Sequence, residues 1–116
     1  MKIHEDRPGD ILVLAPVGRV DTTTSAGLEE RLLRGVSAGE RRLLLDLAGV
    51  EYISSAGLRV LLRLAKKMQV AQGQLVLCGL GDSVRQVFEL AGFLPLFNVE
   101  ASRGEALERL QAQGRR

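Results

Sequence analysis

Residues 46–62 read DLAGVEYISSAGLRVLL, a run that holds the end of a buried strand, a connection and the start of a helix. On its C-terminal side Leu58, Leu61, Leu62, Ala65 and Met68 recur at i, i+3, i+4, i+7 and i+10, the pattern of a helix with one apolar stripe. Arg59, Arg63, Lys66 and Lys67 fall off that stripe. On its N-terminal side the run grows out of Leu43, Leu44 and Leu45, too short for an independent helix and suited to a strand covered on both faces. Residues 48–54 connect the two. Ser54 and Ser55 stand where the connection hands over to the helix, and either can cap it, its side-chain oxygen accepting a bond from a free backbone N–H. Gly57 is the unexpected residue, because a glycine in a first helical turn costs up to about 1 kcal/mol relative to alanine. With Ala56 it is expected to leave the backbone beside the serines open to another protein.

The same alternation extends in both directions. Residues 11–17 read as a strand, with Pro16 expected at an edge or near the strand's end, and residues 2–4 as an antiparallel partner joined through Pro8-Gly9-Asp10. Thr22, Thr23, Thr24 and Ser25 offer N-caps for a helix whose apolar stripe is Leu28, Leu32, Leu33 and Val36. After Gln72-Gly73 ends the central helix, residues 75–78 form a further buried strand. Asp82 or Ser83 caps a third helix carrying Val84, Val87, Phe88 and Ala91, Ser83 and Gln86 having the spacing of a capping box. Residues 96–99 are a last short strand, and Ser102 with Glu105 opens a fourth helix containing Leu107 and Leu110. Fraying is expected at the termini, above all over residues 111–116. The order β-β-α-β-α-β-α-β-α predicts an α/β fold: a mostly parallel mixed sheet of about five strands with four helices, in a single domain spanning residues 1–116.

Composition removes several function classes. The 116 residues include 16 basic and 14 acidic ones, a net charge of +2, and the basic pairs Arg41-Arg42, Lys66-Lys67 and Arg115-Arg116 are short and scattered rather than gathered into a phosphate-binding stripe. Direct nucleic-acid binding is therefore not expected. One cysteine, Cys78, excludes an intrachain disulfide and ends an apolar run, as a buried structural thiol would. His4 is the one histidine and falls in the first strand, badly placed for a Ser-His-Asp arrangement, and one histidine with one cysteine makes no metal-ligand cluster. Gly79-Leu80-Gly81 lacks the Lys-Ser/Thr ending of a phosphate-binding loop. No run reaches the 18 to 20 apolar residues, roughly, of a membrane span, and the first ten residues have no apolar signal-peptide centre. The expectation is a cytoplasmic, non-catalytic protein with no metal.

The pattern D-L-x-x-V-x-Y-I followed by S-S-A-G-L resembles the anti-sigma factor antagonists and their wider group, the STAS domains. Further landmarks agree in order: Gly18-x-x-Asp21 ahead of the first helix, a strand ending in Asp46-Leu47, and Gly73-x-Leu75 before the next strand. The resemblance covers almost the whole chain. It implies that Ser55, two residues before Gly57 and followed in turn by Leu58, is the phosphorylated serine. It also implies a cycle in which the unphosphorylated domain binds an anti-sigma factor that is itself a GHKL-type serine kinase. Phosphorylation then releases that partner, and a PP2C-type phosphatase restores the binding form. ATP would belong to the kinase, so no cofactor is expected here. Sporulation-type members usually carry Asp where this chain has Ser54, which makes Ser54 a competing acceptor. The partner surface is expected to comprise Asp21, Thr22, Thr23, Thr24, Ser54, Ser55, Ala56, Gly57 and Arg59. An alternative within the fold is a constitutive subunit of a lipid-transport ATPase complex or of a larger signalling assembly. An alternative outside that class, a small enzyme using Asp21, Asp46 and Ser55, lacks a usable histidine, metal ligands and a lid.

Overall fold

The computed structural model describes residues 1–113, so the Arg115-Arg116 pair lies outside the described residues. The chain opens with a hairpin of β1 (Lys2–Asp6) and β2 (Leu12–Val20), followed by α1 (Ser25–Ser37), β3 (Arg42–Asp46), β4 (Val50–Ile53), α2 (Ser55–Val70) and β5 (Gln74–Cys78). Then come α3 (Asp82–Leu90), a 3₁₀ turn at Leu94–Leu96, β6 (Asn98–Glu100) and α4 (Arg103–Gln113). Strands β1-β2-β3-β5-β6 lie side by side in that order, with β4 on the far end of β2. The β1–β2 pair is antiparallel and the others are parallel.

The sheet thus has six strands where about five were expected, because residues 50–53, within the expected connection, form β4. Four residues with Glu51 and Tyr52 exposed between buried Val50 and Ile53 carry no clear period-two signal. They become a strand because β2 outruns β3. The β2–β3 pairing stops at Leu14 opposite Leu45, and β2 continues beside β4 from Gly18 opposite Val50. Pro16 sits inside β2 in the gap between those two pairings, not at an edge, and so its missing N–H falls where β2 changes partner. The last strand also starts later than expected, because residues 94–96 coil into the 3₁₀ turn first.

The leucine-rich strands are covered on both faces, as their unbroken apolar runs require. Leu12, Leu14, Leu43, Leu45, Leu75 and Leu77 pack with Leu28 and Leu32 of α1, Leu58, Leu61 and Leu64 of α2, and Val84 and Phe88 of α3. Ile11, Val13, Leu44, Val76 and Cys78 point the other way, against Ala106 and Leu110 of α4. At the end of β3 the buried Asp46 accepts from the Ala48 N–H at 3.0 Å and from Arg103 Nε at 2.9 Å, which pins the start of α4 to the sheet. Burial, and secondarily the neighbouring Asp46, push the Cys78 thiol up to about 12.

Candidate functional site

Two strand ends and two loops meet at the start of α2. Ser54 is extended (φ −92°, ψ 173°), its N–H donates to the Val20 carbonyl at 2.8 Å, and its hydroxyl oxygen accepts the Gly57 N–H at 3.3 Å. Ser54 is therefore the helix cap. Ser55, the first helical residue, is exposed, and its hydroxyl makes no hydrogen bond among the described residues. One serine is committed to the fold and its neighbour is presented to solvent. The N–H groups of Ser55 and Ala56 are not engaged by the cap, and the positive end of the helix dipole lies at this turn.

Gly57 overturns the expectation of an open backbone. It is buried, and a Cβ there would lie 2.7 Å from Val20 Cγ1 and 2.8 Å from Ile53 Cγ1. Its smallness lets α2 seat directly on the ends of β2 and β4, so Gly57 faces inward while Ser55 faces out. Ala56 is half-buried, and Arg59, one turn on from Ser55, is exposed.

The loop of residues 21–24 is organised by its own side chains. Asp21 Oδ1 accepts the Thr23 N–H at 2.9 Å and the Thr23 hydroxyl at 2.6 Å. Those bonds, the Thr23 hydroxyl first, hold the Asp21 carboxyl below the usual carboxylate range. Thr24 stands at the N-cap position of α1 without capping it, because its hydroxyl accepts the Asp21 N–H at 2.9 Å and donates to the Arg19 carbonyl at 2.8 Å. Thr22 and Thr23 are exposed.

The parallel pairing of β2 with β4 sets Arg19 beside Tyr52 and Val20 beside Ile53, so the 21–24 loop and the Ser54-Ser55 turn leave the sheet as neighbours. The expected residues Asp21, Thr22, Thr23, Ser54 and Ser55 are brought together in this way. Two residues that sequence reasoning did not single out join them. The Arg19 guanidinium lies 4.3 Å from the Tyr52 ring centroid, and its Nε is 3.7 Å from Asp21 Oδ2. Nothing in the linear sequence connects positions 19 and 52; only strand register does. Asp46 faces α4, across the sheet from α2, and His4 lies on β1 opposite Ala15, so neither serves Ser55 as a base. No group of three or more His, Cys, Asp or Glu that could hold a metal ion occurs among the described residues.

A family model described as the STAS domain matches residues 2–106. The putative anti-sigma factor antagonist BtrV of Bordetella bronchiseptica is 46% identical over 106 residues, covering 91% of each chain. Among solved structures, a putative anti-sigma factor antagonist of Thermotoga maritima superposes with a TM-score of 0.89 at 19% identity, covering 94% of both chains. The Bacillus cell fate determinant SpoIIAA in its phosphorylated form superposes with a TM-score of 0.72 at 16% identity, covering 94% of this chain and 99% of that one.

Proposed function

The chain belongs to the STAS domain family, in the group of anti-sigma factor antagonists, and from that premise we propose that it is a partner switch controlled by phosphorylation of Ser55. Unphosphorylated, it binds an anti-sigma factor that is a GHKL-type serine kinase, in the cytoplasm. The kinase transfers the γ-phosphoryl group of ATP to the Ser55 oxygen, breaking the bond to the β-phosphate and releasing ADP, while the hydroxyl proton passes to solvent or a base of the kinase. The phosphorylated form dissociates, and a PP2C-type phosphatase hydrolyses the ester to regenerate the binding form. The domain itself catalyses nothing and carries no cofactor.

The observation that carries this reading is the division of labour at the helix start: Ser54 caps α2 while Ser55 is exposed and its hydroxyl has no hydrogen bond among the described residues. Phosphate adds about −1.5 to −2 charges and three acceptor oxygens. At the first turn of α2 those charges meet the helix dipole and uncommitted N–H groups, so the fold tolerates them. Loss of binding then arises at the interface, where a bound partner denies the dianion room and water. A mismatch of only about 2.7 kcal/mol weakens binding roughly a hundredfold.

Incubation with the partner kinase and ATP is expected to add one phosphate, mapped to Ser55 by mass spectrometry. Ser55→Ala should bind the kinase persistently and Ser55→Asp poorly. Equal binding by wild type and both variants would overturn the switch.

A further inference from the structure

On the strands that lead into the 21–24 loop and the Ser54-Ser55 turn an exposed cation is held in one orientation, with most of its hydrogen-bonding capacity unused. The Arg19 side chain is 57% exposed, yet its guanidinium is stacked on Tyr52 at 4.3 Å and steadied from the side by Asp21. Tyr52 is itself 39% exposed, so the ring is a surface platform rather than part of the core. The contact with Asp21 is long, 3.7 Å, and involves Nε alone. Asp21 meanwhile gives its Oδ1 to Thr23 at 2.9 Å and 2.6 Å. The two terminal nitrogens of Arg19 are in no hydrogen bond among the described residues and present a planar fork to solvent. Exposed pairs of this kind add little to folding stability. What the arrangement does provide is an arginine whose rotamers are already restricted, so less freedom is lost when a second molecule binds it.

We propose that Arg19 stacked on Tyr52 anchors the protein partner, the guanidinium fork taking a carboxylate from an acidic side chain of that partner while the ring packs around the contact. The proposal rests on the partner-switch reading above and names the chemistry of recognition at that same surface. A guanidinium matches a carboxylate in two parallel bonds, and arginine and tyrosine are over-represented among the few residues that dominate binding energy. Strand register places the pair on β2 and β4, one step before those strands run into the 21–24 loop and the Ser54-Ser55 turn. The anchor also accounts for the sign of the switch. A dianion on Ser55 adds negative charge to the same end of the domain, which weakens its attraction for an acidic partner.

The test is a calorimetric titration with the partner kinase that phosphorylates this protein, at two salt concentrations. The proteins compared are wild type, Tyr52→Phe, Tyr52→Ala, Arg19→Gln and Ser55→Asp, with thermal melts to show that each is folded. Tyr52→Phe, which keeps the ring, should bind within about twofold of wild type. Tyr52→Ala and Arg19→Gln should each weaken binding by about tenfold or more, and Arg19→Gln should flatten the salt dependence. If folded Tyr52→Ala and Arg19→Gln bind as wild type does while Ser55→Asp does not, the anchor is wrong and the switch stands. If wild type does not bind at all, the partner-switch reading falls and the anchor falls with it.

Discussion

At the start of α2 the backbone passes from extended at Ser54 to helical at Ser55, so the two hydroxyls diverge by construction. The extended residue can reach forward to a helical N–H; the next residue can only point out. Ser54→Ala should therefore cost about 1 kcal/mol of unfolding free energy, the ordinary worth of an N-cap, in urea denaturation. Ser55→Ala should stay within about 0.5 kcal/mol of wild type, since the hydroxyl lost is on an exposed residue and has no hydrogen bond among the described residues. Gly57→Ala tests a contest of opposite signs. Helix propensity favours alanine by up to about 1 kcal/mol, whereas forcing a methyl into well-packed atoms costs about 1–3 kcal/mol. With Val20 and Ile53 at 2.7 Å and 2.8 Å from the new Cβ, the clash should win and the variant should melt lower. A higher melting temperature would refute that account. At this scale the sequence singled out the serine pair and the odd glycine, but not which serine caps or which way the glycine faces. Both depend on where Val20 and Ile53 end up.

The elements that hold the site are β2, β4 and α2, and β4 is the one that periodicity missed. Its edge is not left open: the Ser83 hydroxyl, at the start of α3, donates to the Glu51 carbonyl at 3.3 Å. On the opposite face α4 is tied down through Asp46 and Arg103. Asp46→Ala would leave the Ala48 N–H and the Arg103 Nε–H without their acceptor. It should cost about 1–3 kcal/mol, with amide hydrogen exchange accelerating first in α4. Unchanged protection of α4 would show that its apolar contacts alone seat it. Asp46 was legible as a strand-ending landmark, and α4 as a helix from its capping box, realised in the Glu105 N–H to Ser102 Oγ bond at 3.2 Å. That the two are partners is a contact across 57 positions, which no local pattern encodes.

Over the whole molecule the perturbed titrations set a pH window. Asp21, Glu29 and Glu40 sit below the usual carboxylate range, chiefly through hydrogen bonds from Thr23, Arg63 and Arg7 respectively. The folded form binds fewer protons than the unfolded chain at these groups, so their stabilisation is full above their unfolded values and is lost as pH falls below about 4. Cys78 works in the other direction. Its thiol stays protonated to about 12 in the fold but ionises near 8.5, approximately, when unfolded, so stability should decline above about pH 8.5. Unfolding free energy should be flat from about pH 5 to 8 and fall on both sides, and Cys78→Ala should flatten the alkaline limb while lowering overall stability. In the folded protein Cys78 should resist a thiol reagent that labels it readily in urea. What the sequence by itself determined was local: the main apolar stripes, run lengths, the Ser102-Glu105 capping pair, and hence the order of helices and most strands, and the serine pair at a helix start. The caps expected for α1 and α3 did not form, because Thr24 is bonded to Asp21 and Arg19, and α3 begins one residue earlier, after Gly81. The tertiary structure alone decided what lies beside what, because strand register and helix seating are set by packing between distant residues. That is why β4, the inward glycine and the stacked Arg19 and Tyr52 emerged only once β2 had paired with two strands in succession.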